Sequence, residues 1–225
     1  TLTNHALVFT NGIFQNEAQI QAYKDKDGSL MQPNAVPGDV IFVDKNGDGY
    51  LTSDDQGMIG KGTPDWTFGI NLNAEYKNID FSMLISGQWG NDILDVTRRL
   101  DCAYVNLPAE LKDRWHGEGT SNTMPRFCWN GNDNNKNWGN PSDLYVKNGS
   151  FARIKNIQLG YTLPSQLTRK FFVERLRFYV AAENLLTLTG YKGFDPEINA
   201  DKSNGIDRGY YPQARTFTVG LNLNF

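Results

Sequence analysis

The sequence has no long apolar segment, which excludes a helical membrane protein. In its 225 residues, no apolar run approaches the roughly 20 residues that a membrane-spanning helix needs. The mean hydropathy is −0.52, a value that by itself would place the chain among water-soluble proteins. This conclusion does not extend to transmembrane strands, because they need only about 9–11 residues and turn half of their side chains toward water.

The sequence has no excess of basic charge and little cysteine. The formal net charge is −3 and the sequence contains no basic stripe, so we expect no nucleic acid as a partner. Its two cysteines, Cys102 and Cys128, are too few for a disulfide scaffold and lack metal-ligand spacing. The sequence leaves open whether they form a disulfide or stay free thiols.

Signal-peptide and catalytic motifs are absent as well. The first residues show neither the charged region nor the apolar core of a signal peptide, so we expect a mature, truncated or partial chain. There is no G-x-S-x-G or H-E-x-x-H motif, and GKGT at 60–63 lacks the spacing of a phosphate loop. The two histidines, His5 and His116, have no companions at ligand spacing. We therefore predict that the chain is not an enzyme.

What the sequence does contain is strict alternation, most clearly in its last twelve residues. Within 214–225, one face carries Arg215, Phe217, Val219, Leu221, Leu223 and Phe225, and the other face carries only small or polar residues. A soluble edge strand seldom exposes such an apolar row, because it would recruit other strands. A strand with one face in lipid and the other in a watery lumen has this pattern by necessity.

Four earlier segments alternate in the same way, and we predict strands over 66–76, 79–89, 151–163 and 174–187. Leu84 is the one misfit in the second segment. The third changes register around residues 154–156, which predicts either a bulge or a segment that lies beyond the bilayer. The two-residue connection at 77–78 predicts a tight hairpin.

The connections between these strands provide an independent test of the membrane interpretation. In order they are short (77–78), very long (90–150), short (164–173) and long (188–213). Outer-membrane barrels have short periplasmic turns and long extracellular loops, and this order fits them without adjustment. We predict an all-β fold made of antiparallel strands of a multi-pass transmembrane β-barrel. Even the smallest barrels have about eight strands, so we expect further strands N-terminal to this chain.

This topology divides the chain into two predicted regions. Residues 1–65 precede the first strand and are expected on the extracellular side. Residues 66–225 are expected to form the transmembrane strands and their loops, with one face of the strands against the lipid bilayer.

A calcium-loop pattern lies in the first region. Oxygen ligands fall at the spacing of an EF-hand-type loop, with glycine at position 6 and an acid at position 12; they are Asp44, Asn46, Asp48, the Tyr50 carbonyl and Asp55. An Asx-rich turn without any metal would use the same residue types. We expect a bound Ca²⁺ with a structural role, and the shorter Asp at position 12 weakens its bidentate reach.

Eight segments together resemble one family. They are GIFQ (12–15), PGDV (37–40), DKNGDG (44–49), RWHGEGTSN (114–122), GSFARIKNIQLGY (149–161), ENLLT (183–187), GFDPE (193–197) and RTFTVGL (215–221). In order and spacing, they resemble the C-terminal part of the SusC/RagA family of TonB-dependent outer-membrane transporters.

This resemblance implies a 22-stranded barrel in the cell outer membrane, filled by an N-terminal plug that is absent here. It also implies import of glycans, or of peptides in some members, with energy relayed by TonB through the missing part. A SusD-like surface lipoprotein would cover the extracellular mouth as a lid. The sequence does not identify the substrate.

Aromatic residues in the long loops are weak candidates for substrate binding, since aromatic rings stack on sugars. The candidates are Trp115, Trp129, Trp138 and Tyr191. Packing among the loops, or against the lipoprotein, is the commoner role of such residues.

The competing hypothesis is a soluble, calcium-stabilised, carbohydrate-binding β-sandwich. It would use the same 44–55 loop and the same aromatic surface. It requires a second sheet that covers the apolar face of every strand, and loops of 61 and 26 residues are rare in such folds.

Overall fold

The computed structural model describes residues 6–97, 106–107, 109–128, 132–198 and 205–225. The chain divides into two compact units that interleave along the sequence. The loop unit comprises the described residues within 1–62, 93–147 and 206–208. The strand unit comprises those within 63–92, 148–205 and 209–225. Residues 93–147, which belong to the predicted strand-and-loop region, therefore share a unit with residues 1–62.

Most of the regular structure is β-strand. The strands are β1 (Ala6–Leu7), β2 (Thr10–Ile13), β3 (Val40–Phe42), β4 (Gly57–Met58), β5 (Trp66–Tyr76), β6 (Ile79–Trp89), β7 (Asp92–Asp95), β8 (Val146–Asn148), β9 (Phe151–Thr162), β10 (Arg175–Thr189), β11 (Ile206–Asp207) and β12 (Thr216–Asn224). The α-helices are α1 (Glu17–Ala22) and α2 (Ser165–Thr168), and short 3-10 turns cover Ser53–Asp55, Ala109–Asp113, Asp143–Tyr145 and Arg169–Phe171. In the described part of the chain, no helix is long and apolar enough to cross a membrane.

Five long strands form one antiparallel sheet in the order β12-β10-β9-β6-β5. The bounds of β5 and β6 coincide with the predicted segments 66–76 and 79–89. The other three strands begin and end within two residues of their predictions. The antiparallel order places both short connections at one end of the sheet and both long connections at the other, which confirms the predicted alternation.

A β-bulge lies in β9, which is one of the two interpretations that the change of register left open. Asn156 pairs with Leu84 of β6, but the next pair joins Ile154 to Ile85, so Lys155 has no opposite residue on β6. The pairing with β10 shifts at the same place. The extra residue reverses the faces on its N-terminal side relative to the rest of β9, so Ile154 lies on the apolar face and Arg153 on the polar one. Leu84, the predicted misfit, lies opposite Asn156 on the polar face.

The loop unit is built from short strand pairs around small apolar clusters. β1 pairs with β4, β2 pairs with β3, and β11 and β8 flank β7. One cluster joins Ile13 of β2 to Val40 and Phe42 of β3. Because each element is short, side-chain hydrogen bonds between distant segments carry much of the organisation of this unit.

Candidate functional site: the two faces of the five-stranded sheet

The apolar face of the sheet is continuous across all five strands. Cross-strand pairing aligns its side chains in rows; three of these are Leu72–Met83–Ile157–Ala182–Phe217, Ala74–Phe81–Leu159–Val180–Val219 and Tyr76–Ile79–Tyr161–Phe178–Leu221. Since every strand places its apolar positions on the same side, the register is the one that builds a single apolar surface.

This apolar surface is open to the surroundings. Val219 is 84% exposed, Phe217 71% and Val180 51%. Aromatic residues mark both ends of the strands, with Trp66 and Trp89 paired at one end and Tyr76 at the other. The β-sandwich hypothesis required a covering sheet. The described residues leave this face exposed, and an exposed apolar band flanked by aromatic residues is typical of a lipid-facing barrel wall.

The opposite face is polar and carries charges. Asp80 of β6 and Arg177 of β10 form an ion pair that crosses the intervening strand β9, with Arg177 Nε 2.9 Å from Asp80 Oδ1. Asn73, Ser82 and Gln158 share this face. A face of this composition suits the water-filled interior of a barrel.

A buried charge cluster lies on the polar face next to the bulge. Arg153 is 3% exposed and donates to Asp195 Oδ1 at 2.5 Å, to Glu197 Oε2 at 2.8 Å and to Thr187 Oγ1 at 2.8 Å. Lys155 also pairs with Glu197. The cluster therefore ties the loop after β10 to the wall of the sheet.

Asp195 is the centre of that cluster. Its oxygens also accept hydrogen bonds from the backbone N–H groups of Glu197 and Gln213. Burial by itself raises the pKa of this carboxyl, but the Gln213 and Glu197 amides and the Arg153 guanidinium outweigh burial and lower the pKa below its ordinary value. The carboxylate is thus held ionised at the point where the loop returns to β12.

In the loop unit, Gln15 joins two of the sequence motifs. Its Oε1 accepts from Trp115 Nε1 at 3.2 Å and from the Gly119 amide at 2.8 Å. Its Nε2 donates to the carbonyls of Ile13 and Ser121. One side chain therefore fixes GIFQ (12–15) against RWHGEGTSN (114–122).

A buried polar network surrounds Asp39 of the PGDV motif. Asp39 Oδ1 accepts from Arg126 Nε at 2.6 Å and from Asn137 Nδ2 at 2.7 Å, while Oδ2 accepts from the Val36 amide. The preceding Gly38 has φ of +94°, and a Cβ there would collide with the ring of Trp115. Only glycine fits this position, which explains the Pro-Gly-Asp sequence in structural terms.

The predicted calcium ligands lie together in the 44–55 loop, where their side-chain oxygens accept hydrogen bonds from backbone N–H groups. Asp44 accepts from Gly47 and Gly49, each at 2.7 Å, and Asp55 accepts from Lys45 at 2.9 Å and Thr52 at 2.8 Å. In the same way, Asn46 Oδ1 accepts a hydrogen bond from the Asp48 amide, and Asp48 Oδ1 accepts one from the Tyr50 amide. Within the described residues, no group of three or more His, Cys, Asp or Glu side chains is placed to hold a metal ion. Calcium binding stays a prediction.

The aromatic candidates for substrate binding lie mainly inside the protein. Trp138 packs with Leu111 and Cys128 and is 8% exposed, and Tyr191 is 6% exposed. Trp115 is half-buried over Gly38. Trp129 lies outside the described residues. The three described positions agree better with packing than with stacking on a sugar.

Cys128 is a free thiol buried beside Trp138. Burial, together with the nearby Asp133 carboxylate, raises the pKa of Cys128 to about 12. Cys102 lies outside the described residues.

The site residues that sequence patterns missed are Gln15, Asp39, Arg153 and Asp195. Each lies within a segment that carries the family resemblance, and that was the only available signal. The Arg153–Asp195 pair joins residues 42 apart, and the bond between Gln15 and Trp115 joins residues 100 apart.

Comparison with known proteins identifies relatives of one kind, although no protein-family model matches the chain. The chain is 35% identical over 206 residues to TonB-dependent receptor P3 of Formosa agariphila, an alignment that covers 88% of this chain and 20% of the receptor. It is 30% identical over 193 residues to TonB-dependent receptor SusC of Bacteroides thetaiotaomicron, covering 85% of this chain and 18% of SusC.

Solved structures share the fold. The RagAB peptide importer in its open-open state matches with a TM-score of 0.70 and 23% identity, over 97% of this chain and 22% of the other. The closed-closed state gives a TM-score of 0.68.

The relatives are named as receptors and not as enzymes, which confirms the prediction that the chain is not an enzyme. Their family confirms the predicted location in the outer membrane. This chain spans about a fifth of the length of the curated relatives that it matches. Over most of its length, the chain is homologous to one part of the TonB-dependent receptors, SusC among them.

Proposed function

We propose that this chain forms part of the barrel wall and extracellular loops of an outer-membrane transporter that imports oligosaccharides or peptides. One observation carries the proposal. The five-stranded sheet exposes an unbroken apolar surface on one side and a charged, polar surface on the other. A wall between lipid and an aqueous path needs this two-sided composition.

Oligosaccharides are the first candidate substrate, because the resemblance implies glycan import. Peptides are the second, because the structurally similar RagAB is described as a peptide importer. We further propose a SusD-like lipoprotein as partner at the extracellular loops, and TonB as partner of the part of the receptor that lies outside this chain.

Detergent extraction of the full-length receptor tests the assembly. The membrane fraction is solubilised, the receptor is purified, and the intact mass and identity of every co-purifying polypeptide are determined by mass spectrometry. We expect a surface lipoprotein in the same complex. A receptor that is monomeric in buffer without detergent would contradict the proposal.

Uptake measurements separate the two substrate classes. Cells that carry the receptor, and cells that lack it, are given labelled oligosaccharides or labelled peptides as the limiting nutrient. Receptor-dependent uptake of one class identifies the substrate class. Uptake that is equal in both kinds of cell for both classes would reject transport by this receptor.

Calcium binding at the 44–55 loop is tested separately from transport. Hydrogen exchange of this loop is compared in about 1 mM calcium, the range of extracellular sites, and in chelator. If calcium binds, its presence slows exchange here, and Asp48→Asn abolishes the difference while Asp54→Asn, an exposed neighbour, preserves it. Equal exchange in both buffers would show that the loop is an Asx-rich turn that binds no calcium.

A further inference from the structure

The apolar face of the sheet carries a groove near the end where the short connections lie. The groove has a volume of about 410 Å³, within the range of ligand pockets. Its apolar lining crosses four strands, from β6 to β12, and consists of Ile79, Leu159, Tyr161, Phe178, Val180 and Val219. A groove with this lining suits a hydrocarbon chain better than a polar ligand.

The ends of the strands are staggered, so the groove descends into the apolar face. Ile79 is the first residue of β6, and Tyr161 lies one residue before the end of β9. Phe178, directly opposite Tyr161, is already three residues inside β10. Tilted strands of a barrel produce such a stagger. Since short connections of outer-membrane barrels face the periplasm, a chain that enters the groove at Ile79 runs obliquely inward from the periplasmic surface of the membrane.

Lys77 places a cation at the shallow end of the groove. It lies in the hairpin between β5 and β6, and its Nζ is 5.1 Å from the centroid of the Tyr76 ring. Tyr76 belongs to the apolar face, lies directly opposite Ile79 and is 71% exposed. Glu75 and Asp80, the carboxylates closest in sequence, face each other on the polar side of the sheet. The ammonium group is therefore on the lipid side, at the level where the apolar face ends.

The backbone of Lys77 gives a second reason to assign this residue a role in binding. Its φ is +54°, a conformation for which tight hairpins prefer glycine, asparagine or aspartate. A lysine adopts this conformation at an energetic cost, and residues with such strained backbones cluster at functional sites.

The two features together define the ligand. An ammonium group at a membrane surface attracts the phosphate groups of anionic lipids, and the groove accepts a hydrocarbon chain. Neighbouring strands are about 4.8 Å apart, so Tyr76 and the adjacent Lys77 lie one strand away from the groove at Ile79. A single molecule that joins a phosphate to a long chain can therefore contact both.

We propose that an anionic glycerophospholipid of the periplasmic leaflet binds here, with its phosphate at Lys77 and one acyl chain in the groove. The inference rests on the proposed function only in that it needs the apolar face to meet lipid. This lipid stays bound to β6, β9 and β10, whereas lipid along the rest of the apolar face exchanges freely.

Photolabelling of the unmodified full-length receptor locates the lipid. The detergent-purified receptor is given phosphatidylglycerol that carries a diazirine in one acyl chain. After irradiation, the labelled residues are identified by peptide mass spectrometry. We expect labelling at Leu159, Val180 and Val219 to be several-fold higher than at Leu72, which lies on the same face outside the groove. Labelling that is even over the whole apolar face would overturn the proposal, because it would show ordinary boundary lipid.

The role of the cation is tested by the affinity of phosphatidylglycerol, measured by native mass spectrometry. Lys77→Ala should weaken binding about fivefold, the ratio that the loss of an interaction of about 1 kcal/mol between one lysine and anionic lipid gives. Lys170→Ala is the control, because Lys170 is exposed in the other short connection at the same end of the sheet. It should leave the affinity unchanged. Equal losses in the two variants would overturn the proposal, since any basic turn would then attract the lipid equally.

Filling the groove tests the binding of the acyl chain. Val180→Trp puts a large ring into the groove and should weaken phosphatidylglycerol binding. Leu72→Trp puts the same ring elsewhere on the apolar face and should not. The two native residues are similarly exposed, 51% for Val180 and 46% for Leu72. Both variants keep an apolar side chain against lipid, so both should assemble, which heat-modifiable mobility on gels verifies. Equal affinities in two assembled variants would overturn the proposal.

Two competitors distinguish the lipid from its parts. Diacylglycerol with the same chains lacks the phosphate, so it should bind more weakly and be unaffected by Lys77→Ala. Inorganic phosphate should not displace phosphatidylglycerol, and displacement would overturn the proposal because the site would then bind free phosphate. Uptake and the lipoprotein do not enter these titrations. Lipid binding without uptake would therefore fail only the proposed function, and uptake without lipid binding would fail only this inference.

Discussion

Arg153 and Asp195 form a buried ion pair that joins the wall of the sheet to the loop after β10. The Arg153 Nη2 and Asp195 Oδ1 atoms are 2.5 Å apart, and the two side chains are 3% and 8% exposed. Because Asp195 Oδ2 also accepts from the Gln213 amide, both ends of this loop converge on one carboxylate. The described residues around Asp195 and Gln213 are therefore held as a strap on the polar face.

We expect Arg153→Ala to release this strap. The substitution leaves Asp195 buried without its cation, and breaking one partner of a buried pair costs about 3–5 kcal/mol. Hydrogen exchange of the described residues between 190 and 213 should increase sharply in the full-length receptor. Lys155→Ala is the matched control, since among the described residues Lys155 pairs only with the partly exposed Glu197, and it should change exchange much less. Equal effects of the two substitutions would contradict the central role of Arg153.

Replacement of Gln15 should loosen the 114–122 segment. Gln15→Leu removes the acceptor of Trp115 Nε1 and of the Gly119 amide, together with the donor to Ser121. Each group left without a partner costs about 1–3 kcal/mol where it is buried. Hydrogen exchange at Gly119 and its neighbours should rise. Gln21→Leu is the control, because Gln21 lies on the surface of α1 and its side chain donates to Glu17, four residues away; it should leave 114–122 unchanged.

Acid should destabilise the 44–55 loop through Asp55. Burial raises the pKa of this carboxyl, but the amides of Thr52, Asn46 and Lys45 outweigh burial and lower the pKa below its ordinary value. A folded-state pKa below the unfolded value gives stability that is present at neutral pH. That stability is lost as the pH falls below about 4, the ordinary value for Asp, toward the lower folded pKa.

The test is hydrogen exchange of the loop from pH 7 to 3, corrected for intrinsic rates, in the receptor and in Asp55→Asn. Protection in the receptor should be constant down to about pH 5 and then decline. Asp55→Asn should have lower protection at pH 7 and little further loss in acid. Asp54→Asn, in the same 3-10 turn but exposed, should follow the unmodified receptor. A decline that begins near pH 7 would point to another group.

The sequence predicts those parts of the fold that depend on neighbouring residues. Period-two alternation and a two-residue turn determine β5 and β6 to the residue, and the change of pattern in β9 locates the bulge. The Arg153–Asp195 pair joins residues 42 apart, and Gln15 and Trp115 are 100 apart. Such pairs depend on the path of long loops, which no local pattern encodes. For the same reason Trp138 and Tyr191, candidates for contact with substrate, could not be recognised as buried from the sequence.

The two faces of β12 give the sharpest test of membrane insertion, because adjacent residues of one strand should respond differently to the same charge. Val219 lies on the apolar face opposite Val180, and Thr218 lies on the polar face opposite Ala181. Lysine on the lipid-facing side of a barrel strand costs about 2–4 kcal/mol at mid-membrane, whereas a lumen-facing position tolerates it. In the full-length receptor we expect Val219→Lys to lower the assembled fraction in the outer membrane, measured by heat-modifiable mobility on gels, and Thr218→Lys to leave it nearly unchanged. If the polar-face variant were the more damaging, the assignment of faces would be inverted. Equal tolerance at both positions would mean that Val219 does not face lipid, and the barrel-wall interpretation of this sheet would then lose its main support.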